Sequence, residues 1–222
     1  MRLSPDDVTL LVIAKAPEPG RAKTRLCPPC TPEQAARLAR ASLADTLAAV
    51  AATPARRRVL ALAGVPGPWL PDRVEVVPQR GEGLDERLAS AFTAVDGPAL
   101  LVGMDTPQVT PDLLAGCARR LTRRVDAVLG PAADGGFWAL GLREPDPTAL
   151  LGVPMSTDRT GACQLDRLRR LGLRVARLPV LRDVDRIDDA RAVAREAPSS
   201  RFAAALVAVG GPAEPAPPGG RP

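Results

Sequence analysis

Short apolar runs alternate with longer amphipathic segments along most of this chain. The apolar runs predict strands over residues 8–14, 59–63, 74–77, 99–103, 127–129 and 173–178. The first run is apolar almost throughout, which is typical of a strand buried on both faces of a parallel sheet. Another apolar stretch covers residues 137–142, and we assign no element to it.

Amphipathic segments between these strands predict helices. Thr31, Pro32 and Gln34 form a capping box that opens the first, and Thr157 or Asp158 caps the fourth. The predicted helices cover residues 32–50, 84–95, 111–121, about 159–171 and 188–195. Strands alternating with helices indicate an α/β fold with three layers around a mainly parallel sheet. We expect one domain over residues 1–200 and a disordered Pro/Gly-rich tail over residues 210–222.

The loop after the first strand is the strongest candidate for a ligand-binding segment. It contains Lys15 and Lys23, the only two lysines in a chain with 30 Lys and Arg residues, together with Gly20, Thr24 and Arg25. A buried strand that ends in such a loop before a helix commonly holds phosphates. The alternative is that two surface lysines fall there by chance. We favour a phosphate-binding loop.

A second loop with two glycines, Gly81 and Gly83, precedes the helix predicted over residues 84–95. It is either a second ligand-binding loop or only a turn. We include both glycines among the candidate nucleotide-binding residues.

Composition narrows the ligand class. The net charge of +5 and the pI of about 9.6 suggest an anionic ligand. The chain has no Tyr, three Phe and two Trp, so it lacks the aromatic platforms on which nucleic-acid bases stack. No apolar run approaches the roughly 20 residues of a membrane span, and the N-terminus lacks the pattern of a secretory signal. We therefore expect a cytoplasmic protein that binds small molecules rather than nucleic acid or a membrane, with a homodimer left open.

The absence of histidine excludes His-based zinc sites, Ser-His-Asp triads and histidine general bases. A metal site in this chain must use oxygen ligands, which indicates Mg²⁺ or Mn²⁺. Cys27 and Cys30 have the spacing of a redox or half-zinc motif, but no second C-x-x-C follows. The two intervening prolines favour a rigid turn.

Carboxylates follow three of the predicted strands. Asp105 comes after the strand at 99–103, Asp134 after the strand at 127–129, and Asp183 with Asp185 after the strand at 173–178. Each alone would be read as a turn or cap residue. Because ligands of parallel α/β sheets lie beyond the carboxyl ends of the strands, the group predicts one site together with the lysine loop.

Four segments in this order carry a family resemblance: IAKAPEPGRAKTRL, LVGMDTPQVTPDLL, VLGPAADGGFWALGL and LRDVDRIDDA. Over about residues 8–196 the chain resembles bacterial nucleotide-diphosphosugar-transferase-like proteins, often labelled glycosyltransferases, some of them in arsenosugar clusters. More distantly it is similar to 2-phospho-L-lactate and molybdenum cofactor guanylyltransferases. The resemblance implies a Rossmann-like fold of the GT-A type.

The resemblance also implies roles for individual residues. Lys15, Lys23 and Arg25 would contact phosphates, Asp105 and Asp185 would hold the metal, and Asp134 would face the acceptor or the metal. We take Lys23, Arg25 and Asp134 as the candidate catalytic residues. Thr106 and Pro107 follow Asp105, so the D-x-D metal motif of ordinary glycosyltransferases is missing.

Three functions are compatible with these features of the sequence. A nucleotidyltransferase would move a nucleoside monophosphate from an NTP to a phosphorylated or acidic small molecule and release pyrophosphate. A glycosyltransferase would use an NDP-sugar, with Asp134 as a base. A non-catalytic nucleotide-binding protein would need the cations but no metal carboxylates. The missing D-x-D motif and the cationic loop favour the nucleotidyltransferase.

Overall fold

A computed structural model describes residues 4–121 and 124–210 of the 222-residue chain. The described residues form one seven-stranded sheet with the strand order β3-β2-β1-β4-β6-β5-β7. All neighbouring strands are parallel except at β6, which runs antiparallel to both β4 and β5. The strands are β1 (Thr9–Lys15), β2 (Arg57–Ala63), β3 (Glu75–Pro78), β4 (Ala99–Gly103), β5 (Ala127–Pro131), β6 (Phe137–Leu142) and β7 (Val175–Arg177).

Six α-helices within the described residues complete the three layers, and the predicted α/β fold is confirmed. They are α1 (Pro32–Ala52), α2 (Leu84–Thr93), α3 (Pro111–Arg120), α4 (Thr160–Arg170), α5 (Ile187–Glu196) and α6 (Arg201–Ala208). The capping box of α1 is present: the Gln34 backbone N–H donates to Thr31 Oγ1 over 3.2 Å, and the Thr31 N–H donates to Gln34 Oε1 over 2.8 Å. The described residues contain no helix long and apolar enough to cross a membrane.

Apart from shifts of a few residues at the ends of elements, the structure differs from the predicted elements at three places. The apolar stretch at residues 137–142 is strand β6, since the short connection from β5 returns the chain antiparallel beside it. Helix α6 was not predicted. The N-cap of α4 is Arg159 rather than Thr157 or Asp158. The predicted disordered tail falls outside the described residues, apart from Gly210.

Each face of the sheet packs against its own pair of helices. Helices α1 and α3 cover one face, where Leu43 and Leu114 are fully buried, and α2 and α4 cover the other, where Phe92 and Leu168 are fully buried. This double cover explains why the central strands read as continuous apolar runs.

A third apolar cluster lies beside the sheet, between the N-terminal end of α1 and helices α5 and α6. Leu26, from the lysine loop, and Val184, from the segment before α5, are both fully buried in it. Burial of these two side chains brings the lysine loop against the Asp183–Asp185 segment. The cluster therefore positions the charged residues of the lysine loop next to those of the Asp183–Asp185 segment.

An ion-pair network ties the opposite end of the sheet together. Asp126 lies directly before β5, and its side chain is only 12% exposed. It accepts from Arg143 Nη2 at 2.7 Å, from Arg174 Nε at 2.7 Å and from the Arg174 backbone N–H at 3.0 Å. The hydrogen bonds from Arg174, and then those from Arg143, hold the pKa of the Asp126 carboxyl well below its usual range.

We expect Asp126→Asn to lower the free energy of unfolding by about 1–3 kcal/mol at pH 7, because Arg143 and Arg174 lose the nearly buried carboxylate that they share. The folded-state pKa lies below the unfolded value of about 3.9, so this stabilisation is present above that pH and is lost as the pH falls below it. Urea unfolding of both proteins at pH 7 and at pH 3 measures the difference, which should shrink at pH 3.

Asp166→Asn is the matched control for this prediction. Asp166 pairs with Arg170 one helical turn away in α4, and both side chains are more than half exposed. An exposed pair of this kind contributes about 0.5 kcal/mol or less. Equal effects of the two substitutions would contradict the assigned role of Asp126.

Candidate active site

A cleft of about 600 Å³ opens at the carboxyl-terminal edge of the sheet, beyond the ends of β1 and β4. This is where ligands of open α/β sheets bind. The charged residues of its lining, within the described part of the chain, are five bases and five acids: Lys15, Arg21, Lys23, Arg25, Arg87, Asp105, Asp134, Asp158, Asp183 and Asp185. The cleft thus contains many charged side chains, but its net charge is close to zero.

Lys23 is at the centre of this charge arrangement. Its side chain is only 8% exposed, and its Nζ lies 2.9 Å from Asp105 Oδ2 and donates a hydrogen bond to the Val184 carbonyl. The Val184 N–H in turn donates to the Asp105 carbonyl at 2.8 Å. Lys23 therefore joins the loop after β1, the end of β4 and the segment before α5.

The other two predicted phosphate-contacting cations differ from Lys23 in their surroundings. Arg25 Nη1 contacts Asp185 Oδ2 at 2.5 Å, and this hydrogen bond raises the pKa of the Arg25 guanidinium. Lys15 is exposed at the end of β1 and forms no ion pair with any residue of the described ranges. Lys15 is consequently available to a ligand anion without breaking an existing contact.

Asp105 has an unsatisfied oxygen. Its Oδ2 pairs with Lys23, while its Oδ1 is buried and accepts no hydrogen bond from any described residue. A buried carboxylate oxygen without a donor is costly unless a cation or another donor completes it. The buried Oδ1 therefore has an unused capacity to accept a hydrogen bond or to bind a cation.

Asp183 lies within electrostatic range of two other cleft carboxylates. Burial, together with the charge of Asp134 and, to a smaller extent, that of Asp105, raises the pKa of Asp183 to about 6. No three Asp, Glu or Cys side chains in residues 4–121 and 124–210 converge closely enough to ligate a metal by themselves.

Two glycines next to the cleft allow a close approach between the start of α4 and the loop after β5. Gly135 has φ +91°, and a Cβ there would lie 1.9 Å from the Asp158 carbonyl oxygen; a Cβ on Gly161 would lie 2.4 Å from the Gly136 carbonyl oxygen. The Gly161 N–H donates to the Gly135 carbonyl at 2.8 Å. Only glycine allows this approach of backbone to backbone. It places the start of α4, with Asp158, beside the loop that carries Asp134.

The structure brings most of the candidate residues together. Seven of them line the cleft: Lys15, Lys23, Thr24, Arg25, Asp105, Asp134 and Asp185. Gly20, Gly81 and Gly83 are not among the lining residues. The loop of Gly81 and Gly83 is instead held as a helix cap, since Glu86 Oε2 accepts from the Gly83 N–H at 3.3 Å and Arg87 Nε donates to the Gly81 carbonyl at 3.1 Å.

Several lining residues were not in the predicted set. Asp183 follows the same strand as Asp185, so its position was visible in the D-V-D segment, although only Asp185 was assigned as a ligand. Gln79, Phe137 and Met155 also line the cleft and carry no sequence motif. Only the packing of their elements reveals them.

The family model described as "Uncharacterized protein conserved in bacteria (DUF2064)" matches residues 34–157, more than half of the chain. This chain belongs to that family. No curated protein sequence is significantly similar to it.

Solved structures share the fold over most of the chain. One, described as a candidate nucleotide-diphospho-sugar transferase from Desulfovibrio desulfuricans G20, has a TM-score of 0.81 at 27% identity and covers 93% of this chain and 95% of its own. CMP:2-keto-3-deoxy-manno-octonic acid synthetase in complex with CTP has a TM-score of 0.57 at 10% identity, with coverage of 86% and 99%. Rv0371C of Mycobacterium tuberculosis H37Rv in complex with manganese has a TM-score of 0.50 at 21% identity, with coverage of 84% and 97%.

These structures agree with the Rossmann-like, GT-A-type architecture expected from the resemblance. The first of them, with the greatest overlap of the three, is described by the same nucleotide-diphosphosugar-transferase term. The other two are less than 25% identical to this chain, and their likeness to it shows the shared fold.

Proposed function

We propose that this chain is a nucleotide-dependent transferase, and specifically a metal-dependent nucleotidyltransferase. It would move a nucleoside monophosphate from an NTP to a phosphorylated or acidic small molecule and release pyrophosphate. The observation that carries the proposal is the orphaned Oδ1 of Asp105 in a cleft that also presents the unpaired Lys15. A transferase acting on nucleotides needs both a cation site and a free positive charge for phosphates.

The charge balance of the cleft supports metal dependence. Its five acids offset its five bases, so the protein alone cannot neutralise a triphosphate with nearly four negative charges. A divalent cation bound with the nucleotide would supply the missing positive charge. Mg²⁺ fits such a site, because it commonly uses one or two carboxylates together with substrate phosphates and water.

The residues present fit Mg²⁺ or Mn²⁺. Asp105 offers the orphaned oxygen, and Asp185, with Asp183 as a further candidate, would complete the protein ligands. The bound metal would neutralise phosphate charge during transfer. The manganese complex of a protein with a similar fold is consistent with this choice.

The remaining side chains have separate roles in the proposed reaction. An acceptor oxygen would form a bond to the α-phosphorus, while the bond from that phosphorus to the bridging oxygen of pyrophosphate breaks and the electron pair leaves with pyrophosphate. Lys15 and Arg25 would stabilise the phosphates of the donor and the leaving group. Lys23 would hold Asp105 in place, and Asp134 would face the acceptor. An acceptor that is already a phosphate or carboxylate needs no general base.

A glycosyltransferase is the second candidate, favoured by the description of the Desulfovibrio desulfuricans protein as a nucleotide-diphospho-sugar transferase. That reaction would use an NDP-sugar and would require Asp134 to take a proton from the acceptor hydroxyl. The unpaired Lys15 and the absence of a D-x-D motif favour the triphosphate donor.

A coupled pyrophosphate assay with four NTPs, a panel of phosphorylated and acidic acceptors, and Mg²⁺ or Mn²⁺ tests the proposal. We expect pyrophosphate release that depends on the acceptor and stops in excess EDTA. Release of NDP from an NDP-sugar, with no turnover of any NTP, would establish the glycosyltransferase instead. Full activity in excess EDTA would contradict the proposed dependence on a divalent metal.

A further inference from the structure

Gln79 follows β3 and is held in a single orientation by backbone carbonyls of β1 and β2. Its Nε2 donates to the Ala14 carbonyl of β1 at 2.7 Å and to the Ala61 carbonyl of β2 at 2.9 Å. Its backbone N–H donates to the Leu62 carbonyl at 3.1 Å. Both hydrogens of the carboxamide are therefore used within the protein. The reversed amide would set its oxygen against two carbonyl oxygens, which excludes that orientation.

The carboxamide oxygen of Gln79 remains available. It accepts no hydrogen bond from a residue in the described ranges, and it is not among their buried polar atoms without a partner. Gln79 itself lines the cleft. Its Oε1 is thus a preoriented hydrogen-bond acceptor that solvent or a ligand can reach.

The surroundings of this oxygen suit a nucleoside base. Gln79 binds the carbonyl of Ala14, which directly precedes the unpaired Lys15. Ile13 and Leu84 add apolar surface to the same cleft. A cleft that contains a polar acceptor, apolar side chains and the lysine proposed to bind phosphate matches the chemistry of a base attached to a phosphorylated sugar.

We propose that Gln79 selects the base of the bound nucleotide by accepting a hydrogen bond from its exocyclic amino group. This inference rests on the proposed nucleotide function. The two carbonyl oxygens that hold Gln79 already accept from its Nε2, so Oε1 is the polar atom of this side chain that is left to a ligand, and an acceptor favours a base edge that donates. The amino groups of cytosine, adenine and guanine donate, whereas the O4 of uracil is an acceptor and would face another acceptor. Gln79 is therefore a specificity-determining residue.

Three pairs of nucleotides isolate the amino group. CTP and UTP differ at position 4 of the pyrimidine, where an amino group replaces an oxygen. GTP and ITP differ by the 2-amino group, and ATP and purine riboside triphosphate differ by the 6-amino group. Dissociation constants are measured by isothermal titration calorimetry with Mg²⁺. In the pair that the protein binds, we expect the amino-bearing nucleotide to bind about tenfold more tightly, as for a hydrogen bond whose loss leaves a desolvated acceptor unpaired.

The variant Gln79→Met keeps the length of the side chain and removes the acceptor. We expect it to bring the ratio of the two dissociation constants within about twofold of one. Gln164→Met is the matched control, since Gln164 Nε2 also donates to a backbone carbonyl, that of Ala149 at 2.7 Å, but the residue does not line the cleft. It should leave the ratio unchanged. A merely structural role of Gln79 would weaken all nucleotides alike and preserve the ratio.

Each outcome decides one of the two proposals. Equal binding of both members of each pair by the wild-type protein overturns the role of Gln79, whether or not the variant folds. A folded Gln79→Met protein that retains the wild-type ratio overturns it as well. If no nucleotide binds the wild-type protein at all, the proposed nucleotide function fails, and the base-selection inference fails with it.

Discussion

Asp105→Asn is expected to lower kcat/KM by about a thousandfold, the larger of the two effects predicted for the active site. The asparagine loses the charge that holds a divalent cation, and it also leaves the nearly buried Lys23 ammonium without its counter-ion. Loss of one preorganised charge contact in an active site costs up to about 4 kcal/mol in transition-state stabilisation, which corresponds to about a thousandfold in rate. The measurement is steady-state pyrophosphate release over a range of Mg²⁺ concentrations.

Asp112→Asn is the control for this substitution. Asp112 is exposed in the first turn of α3 and does not line the cleft, so its replacement should change kcat/KM by less than about twofold. Full activity of Asp105→Asn at saturating Mg²⁺ would contradict the assignment of Asp105 as a metal ligand.

Lys23→Ala is expected to reduce kcat/KM by about 30-fold to a thousandfold, equivalent to about 2–4 kcal/mol. The substitution leaves Asp105 without its cation and removes the donor to the Val184 carbonyl. Lys23→Arg should not restore full activity, because a planar guanidinium is bulkier than the ammonium and the Lys23 side chain is only 8% exposed. Kinetics of both variants and circular dichroism of their fold provide the measurement.

A double-mutant cycle separates the structural part of this effect from the catalytic part. Lys23→Met leaves a carboxylate unpaired, whereas Lys23→Met combined with Asp105→Asn removes both charges. The double variant should therefore unfold at a higher temperature than Lys23→Met alone, yet remain inactive. Additive losses of thermal stability in the two single variants would show that the Lys23–Asp105 contact contributes nothing to the fold.

Strands and helices that carry one strong local signal could be predicted from the sequence. Strand β1 and helix α1 are examples, since the first is a continuous apolar run and the second opens with a capping box. These signals are local, and they depend on the preferences of neighbouring residues rather than on distant contacts. The predicted β-strand ends also placed Lys15, Asp105 and Asp134 at one edge, because parallel strands share their carboxyl ends.

Strand β6 could not be assigned in the same way. Its apolar run is compatible with a buried strand in either direction, and its antiparallel pairing depends on where β4 and β5 lie in the sheet. The glycines of the second candidate loop were similarly ambiguous. Gly81 and Gly83 have the composition of a ligand loop, but Glu86 and Arg87 satisfy the backbone of that loop from within the protein.

The sequence by itself determined the α/β class, the oxygen-ligand character of any metal site and the edge of the sheet on which the charges gather. Only the tertiary structure decided how those charges are paired. Lys23 contacts Asp105 and Val184, and Gln79 is oriented by carbonyls of β1 and β2. Each of these contacts joins residues far apart in the chain, and its geometry depends on the packing of strands and apolar clusters, which no local pattern of residues encodes.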